Sequence, residues 1–105
     1  MTLHDLQQER KVFDEQFWQN KENIDVWTRH VLLHIGKMVG KLSNYVEQRE
    51  HKVKVSDEVI RAEVIPDLLG YSLQLGNLFD VNVEQAYQER LNKVAEKMKT
   101  QYRQE

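Results

Sequence analysis

The sequence contains no cysteine, one proline and only four glycines among its 105 residues. The lack of cysteine excludes disulfide bridges, thiol catalysis and the common cysteine-ligated zinc sites. A chain rich in β-strands needs more proline and glycine in its turns than this sequence provides. The composition therefore predicts an all-α fold, and the lack of cysteine fits a reducing compartment.

Long apolar runs and a strong charge of one sign are also missing. No segment approaches the roughly 18 apolar residues that a membrane span needs, and the polar start MTLHDLQQERK does not resemble a signal peptide. The formal net charge of −2 argues against a dedicated nucleic-acid binder. We therefore expect a cytoplasmic protein that forms one domain over residues 1–105, without a membrane or nucleic-acid partner.

Apolar residues recur at helical spacing in four stretches, with predicted bounds of about 2–19, 23–46, 56–78 and 83–102. Thr2, Asn23 and Asn82 are the predicted N-caps of the first, second and fourth helices. The charged segment 47–57 has no apolar stripe and is predicted to be a loop or a frayed helix end. Pro66 lies inside the third helical pattern, where it should kink or restart the helix.

The second helix divides into three sectors when its residues are placed at 100° intervals. Gly36 and Gly40 form one line, and we expect them to permit close helix packing. The cationic residues of a second sector are His30, His34, Lys37 and Lys41. The third sector is a wide apolar arc, made of Ile24, Trp27, Val31, Leu32, Ile35, Met38, Val39, Leu42, Tyr45 and Val46. The arc predicts a core face and, in addition, an interface with another subunit.

Three segments of the chain resemble the MazG-like family of all-α nucleotide pyrophosphohydrolases. They are FDEQFWQNKENID, HVLLHIGKMVGKL and EVIPDLLGYSLQLGNLFDVNVEQAYQERLNKVAEK. The resemblance implies a four-helix MazG-like domain with two long antiparallel helices and flanking helices. It also implies assembly into an oligomeric bundle, as a dimer or a dimer of dimers.

The chemistry of that family depends on two carboxylate pairs, E-x-x-E on one helix and E-x-x-D on the next, which hold Mg²⁺ at the triphosphate of the substrate. In this sequence the first pair falls at His34 and Lys37, and the glutamate of the second pair falls at Val64. Only the aspartate is retained, as Asp67, with Glu63 as an acidic neighbour. The resemblance therefore predicts a degenerate metal site and, as the first hypothesis, a protein that has lost its catalytic activity.

Under this hypothesis the chain is a binding, regulatory or assembly subunit that pairs with itself or with a related catalytic subunit and needs no cofactor. The cationic edge would then be a solvated surface, with Lys37 paired to Asp67 or Glu63. Trp27 would belong to the core, and the i,i+4 histidines His30 and His34 would lack the further ligands that a zinc site needs.

Two functional alternatives remain open at this stage. The chain could be an active nucleoside triphosphate pyrophosphohydrolase that uses Asp67 and Glu63 as catalytic or metal-binding residues with Mg²⁺. It could instead be a metal-independent sensor that binds nucleotide phosphates directly. The residues predicted to bind the nucleotide or its phosphates are His34, Lys37, Lys41, Trp18 and Tyr71.

Overall fold

The computed structural model describes residues 1–17 and 23–102, and this part of the chain contains helices and no β-strand. The helices are α1 (Leu3–Phe17), α2 (Ile24–Glu50), α3 (Ile65–Leu78) and α4 (Val83–Tyr102), and a π-helical turn (Ile60–Val64) leads into α3. The prediction of an all-α fold with four helices is confirmed. None of the described helices combines the length and the apolar character needed to cross a membrane.

The three predicted N-caps are confirmed, because each of these side chains accepts a hydrogen bond from a backbone amide three residues on. Thr2 Oγ1 accepts from Asp5 N at 3.0 Å, and Asp5 Oδ2 accepts from Thr2 N at 2.9 Å. These bonds hold the pKa of Asp5 below its ordinary value. The side chains of Asn23 and Asn82 accept at 3.1 and 3.2 Å.

The predicted start of the loop at Glu47 is wrong, because α2 continues to Glu50. Lys52 then adopts a left-handed conformation with φ 59°, and Val53 N donates to Gln48 O at 2.9 Å. This is the Schellman arrangement that commonly ends a helix at a glycine. Here a lysine takes that position, so the usual glycine signal for the end of the helix is missing from the sequence.

Pro66 restarts the third helix, as predicted. The chain widens into the π-helical turn before it, where Ile65 N donates to Ile60 O, five residues back. Proline has no amide hydrogen to donate and is tolerated in the first turn of a helix. Pro66 accordingly lies at the second position of α3.

Helix α3 lies between α1 and α2, and it packs against both while α1 and α2 do not pack against each other. Lys41 of α2 pairs with Glu63 of the π-helical turn, and His34 of α2 stacks on Tyr71 of α3, so α2 and α3 run antiparallel, as expected. The buried apolar core is small and consists of Val31, Met38, Val64 and Leu73.

A buried polar cluster, which we call the Gln7 hub, joins α1 to the connection between α3 and α4. The Gln7 side chain is 3% exposed. Its Nε2 donates to Asn77 Oδ1 at 3.1 Å and to Val81 O at 2.7 Å, and its Oε1 accepts from Val83 N at 2.9 Å. Asn77 Nδ2 returns a bond to Gln7 O at 3.1 Å. The hub therefore fixes the start of α4 against α1.

Beyond its first turn, α4 has no packing partner among the described residues, since every described residue from 87 to 101 is exposed. The radius of gyration is 17.3 Å, compared with about 13 Å for a compact domain of this length. The single chain therefore leaves much apolar surface on α2 and α4 in contact with solvent.

Gly36 and Gly40 were expected to mark a line of close helix packing, and within the single chain this expectation is wrong. A Cβ atom added at either glycine would meet no atom of the other described residues within 4 Å, apart from the neighbouring backbone of α2 itself. Both glycines are exposed on the side of α2 that faces away from α3.

Candidate functional site

A row of charged, imidazole and aromatic side chains crosses from α2 over α3 to α1, and we call it the polar row. It consists of Lys41, Glu63, Lys37, Asp67, His34, Tyr71 and Arg10. The antiparallel packing of α2 and α3 places the predicted phosphate-binding residues of α2 opposite Glu63 of the π-helical turn and opposite Asp67 and Tyr71 of α3. The structure thus brings together most of the predicted site.

At one end of the polar row, Lys41 Nζ donates to Glu63 Oε1 at 2.8 Å, and the two groups form an ion pair. The hydrogen bond from Lys41 and then its charge lower the pKa of Glu63, and Lys37 adds a smaller effect in the same direction. The carboxylate of Glu63 is therefore engaged by a cation of the chain itself.

The predicted ion pair between Lys37 and either Asp67 or Glu63 is wrong. Lys41 takes the place of Lys37 as the partner of Glu63, and Lys37 is exposed and belongs to no ion pair of the described chain. Lys37 still acts on its neighbours through space, since its charge lowers the pKa of His34 as well as that of Glu63.

His34 occupies the middle of the polar row and stacks on Tyr71, with ring centres 5.3 Å apart and an angle of 26° between the planes. His30 approaches the His34 ring edge-on at 4.4 Å, and Trp27 approaches His30 at 5.8 Å. Partial burial lowers the pKa of His34, and the charges of His30 and Lys37 lower it further, while Asp67 opposes them. Trp27, predicted as a core residue, is half-buried beside this group.

Arg10 on α1 ends the row, and the sequence analysis did not identify it. Its Nε donates to Asp14 Oδ1 at 3.0 Å, and its Nη2 donates to Gln74 Oε1 at 3.2 Å. Its Cζ lies 5.3 Å from the centre of the Phe13 ring and 5.8 Å from that of Tyr71, within cation–π range. Burial raises the pKa of Asp14, against the opposite effect of Arg10.

Two signals in the sequence could have indicated this arrangement. Arg10 and Asp14 are four residues apart on one helix, which is the spacing of a helical ion pair. Gln74 stands among apolar residues of α3 and is only 3% exposed. A buried amide needs a hydrogen-bond partner, and a nearby long polar side chain is the usual source.

The residues at the expected metal site do not fit a two-metal Mg²⁺ centre. Val64, which replaces a glutamate of the family pattern, is 2% exposed and belongs to the apolar core. Glu63, the acidic neighbour, is engaged by Lys41, and Asp67, the one carboxylate of the pattern that is retained, forms no ion pair with any described residue. Within residues 1–17 and 23–102, no three histidine or acidic side chains are arranged to hold a metal ion.

Trp18 lies outside the described residues, so its role in binding a nucleotide stays a prediction. Tyr71 has a defined position in the polar row, but its ring already stacks on His34. In comparisons with known proteins, no family model, curated protein or solved structure matches this chain. The resemblance to MazG-like enzymes therefore rests on the sequence segments alone.

Proposed function

We propose that this chain is a MazG-like binding and assembly subunit that has lost Mg²⁺-dependent pyrophosphohydrolase activity. The observation that carries the proposal is the ion pair of 2.8 Å between Lys41 and Glu63. A lysine ammonium now neutralises one of the two acidic groups on which a metal ion could depend. Mg²⁺ is a hard cation that requires several oxygen ligands, and neighbouring ammonium groups repel it.

The rest of the polar row supports the loss of metal chemistry. Asp67 acts on His34 through its charge, and Lys37 contributes a second positive charge to the same region. Val64 stands where the family pattern has a glutamate, and its methyl groups cannot ligate a metal. The ordinary two-metal reaction would therefore need ligands that this arrangement does not supply.

The assembly part of the proposal rests on the exposed apolar surface of α2 and α4. Leu32, Val39 and Val46 on α2 are 64%, 53% and 45% exposed. Apolar surface of this extent is characteristic of an interaction site. We propose a homo-oligomer, a dimer or a dimer of dimers, as the main assembly, with a related catalytic subunit as the alternative partner. A cytoplasmic location agrees with the lack of cysteine.

Pyrophosphate release from a panel of nucleoside triphosphates, with Mg²⁺ or Mn²⁺, tests the loss of activity. We expect no turnover above a control without protein. Turnover that disappears in Asp67→Ala and Glu63→Gln, but persists in the exposed control Glu58→Gln, would overturn the proposal. That outcome would favour the alternative of an active pyrophosphohydrolase with altered metal use.

A second candidate function, a metal-independent sensor of nucleotide phosphates, is favoured by one specific observation. Lys37 has no ion-pair partner in the described chain and lies near His34, which could donate to a phosphate oxygen when protonated. The sensor hypothesis predicts calorimetrically detectable binding of ATP or pyrophosphate in EDTA, weakened in Lys37→Glu but not in Lys11→Glu. If no binding persists in EDTA, this second function is excluded.

A further inference from the structure

Helix α4 carries a narrow apolar stripe that no other described part of the chain covers, and we call it the α4 stripe. It consists of Tyr87, Leu91, Val94 and Met98, which are 61%, 46%, 37% and 50% exposed. Their spacing of four, three and four residues is the spacing of a seam between two packed helices. A helix of this length gains most of its stability from packing of such a face, so the stripe requires a partner.

One border of the α4 stripe is basic. At 100° per residue, Arg90, Lys93 and Lys97 follow the same side of the stripe. All three are exposed, and none forms an ion pair within the described chain. A surface that receives the α4 stripe should therefore offer both apolar side chains and acidic groups along one edge.

Helix α2 presents a second apolar surface, which we call the α2 outer face. It consists of Leu32, Val39, Leu42 and Val46, which are 64%, 53%, 40% and 45% exposed. A shallow groove of about 360 Å³ lies over its second half, lined by Val39, Leu42, Ser43, Val46, Glu47 and Glu50. The two glutamates give this groove the acidic edge that the basic border of α4 would match.

Gly36 adds an independent feature of the α2 outer face. It lies on the same side of the helix as Ser43, and open space surrounds the position of its missing Cβ. A glycine inside a helix costs about 1 kcal/mol relative to alanine. No contact among the residues that the structure describes offsets that cost, whereas a helix of another chain could approach closely at this point.

The surface area points to a second copy of the chain as the occupant. The chain exposes 8679 Å², whereas a compact monomer of 12.6 kDa exposes about 6,200 Å². The excess is about 2,500 Å² per chain, and obligate dimers bury roughly 2,000–5,000 Å² in total. Reciprocal docking of two copies would form the same contact twice around a two-fold axis.

A competing acceptor exists in the chain, but its charge is less suitable. It is a groove of about 370 Å³ between α1 and α3, lined by Leu6, Glu9, Arg10, Phe13, Pro66, Leu69, Gly70 and Leu73. Glu9 is its only acidic residue, and the guanidinium of Arg10 would repel the basic border of α4. The α2 outer face, with Glu47 and Glu50, has the better charge complementarity.

We infer that α4 of one copy docks on the α2 outer face of a second copy, with Arg90 and Lys97 facing Glu47 and Glu50. This inference rests on the proposed self-association and specifies its contact surfaces. The α4 stripe supplies the apolar contact. The opposite charges of the two borders fix the orientation of the two helices.

Charge-reversal variants of the two surfaces test this inference. Their association is measured by sedimentation velocity of the full chain over a range of concentrations. We expect the wild type to sediment as a dimer or larger assembly. Arg90→Glu/Lys97→Glu and Glu47→Lys/Glu50→Lys should each weaken association about tenfold or more. The combination of all four substitutions should restore association to near the wild-type level. All four residues are exposed, so the fold of each chain should be retained, and circular dichroism verifies this.

Two control variants match the changes in net charge: Lys11→Glu/Lys54→Glu and Glu15→Lys/Glu58→Lys, all at exposed positions outside both surfaces. They should associate like the wild type. Weakening by both test pairs without rescue in the combination would overturn the proposed contact. An effect of the α4 pair alone would also overturn it and would favour the groove between α1 and α3. A wild type that is monomeric at all concentrations would reject the self-association itself.

Discussion

Two polar clusters that both involve α3 differ in how completely the chain satisfies them. In the Gln7 hub, the buried amide makes three side-chain hydrogen bonds of 2.7 to 3.1 Å within the chain. In the polar row, Lys41 pairs with Glu63 and Arg10 pairs with Asp14 of its own helix, while Lys37 and Asp67 form no ion pair with any described residue. The side-chain amide of Gln7 therefore has its hydrogen-bond partners inside the chain, whereas the charges of Lys37 and Asp67 can still interact with a ligand or with solvent.

This difference separates a cluster that holds the fold together from one that is suited to binding. A buried polar group must find its partners inside the chain, because leaving it unpaired costs about 1–3 kcal/mol. An exposed charge has water as an alternative and contributes little to stability. Substitutions in the hub should therefore change folding, and those in the open part of the row should change ionisation and binding.

The largest expected effect is that of Gln7→Ala. It leaves the Val83 amide, the Val81 carbonyl and Asn77 Oδ1 without their partner, so we expect a loss of about 3 kcal/mol in the free energy of unfolding. Urea denaturation at one fixed protein concentration measures it. The matched control is Gln8→Ala, an exposed neighbour that should change stability by less than about 0.5 kcal/mol. Equal effects of the two substitutions would contradict the structural role of the hub.

The second largest effect on stability is expected for Arg10→Ala. Arg10 is the residue of the polar row that bonds to the buried side chain of Gln74. The substitution removes the ion pair with Asp14 and leaves Gln74 Oε1 buried without its donor, so we expect a loss of about 2 kcal/mol. Lys11→Ala, at an exposed position of the same helix, is the control in the same urea experiment. If Arg10→Ala lowers the free energy of unfolding as little as the control does, Arg10 does not stabilise the fold and behaves like the solvated charges of the row.

A smaller effect, on ionisation, is expected at the other end of the row. Lys41→Met removes the hydrogen bond and the charge that lower the pKa of Glu63, so this pKa should rise. Lys37→Met should raise it less, because Lys37 acts through its charge alone. Carbon-13 NMR titration of the Glu63 carboxyl group measures both shifts. A larger rise in Lys37→Met would mean that Lys37, not Lys41, is the principal partner of Glu63.

The parts of the fold that could be predicted from the sequence depend on local chemistry. The caps at Thr2, Asn23 and Asn82 and the restart at Pro66 each involve residues close together in the chain. The end of α2 was predicted too early, because the left-handed position is taken by Lys52 and the sequence carries no glycine there.

Most of the other differences between the predictions and the structure involve contacts between residues that are distant in the sequence. The Gln7 hub joins residues 70 or more positions apart, and no helical pattern in α1 distinguishes Gln7 from the exposed Gln8. The polar row was predicted by resemblance on α2 and α3, where antiparallel packing brings the residues together. The lysine that pairs with Glu63 was predicted wrongly as Lys37, because Lys37 and Lys41 lie on the same side of α2 and only the register of the facing segment distinguishes them.

The smallest expected effect concerns His34, in the middle of the row. Its pKa in the folded chain is lowered from the ordinary value of about 6.5. Below pH 6.5 the unfolded chain therefore binds a proton more readily than the folded chain. The contribution of neutral His34 to stability is complete above pH 6.5, and it is lost as the pH falls from 6.5 through the folded-state pKa.

Urea denaturation between pH 5 and pH 8 measures the contribution of His34. The unfolding free energy should fall below pH 6.5, and the fall should be smaller in His34→Gln than in the wild type.

Tyr71→Leu removes the ring that stacks on His34, and proton NMR should then show a higher pKa for the imidazole of His34. Ser72→Ala is the control on α3, since its hydroxyl bonds to Leu68 O of its own helix and its side chain is exposed. If Tyr71→Leu leaves the pKa of His34 unchanged, the stacked ring is not what shields it, and the positive charges of His30 and Lys37 are the principal cause.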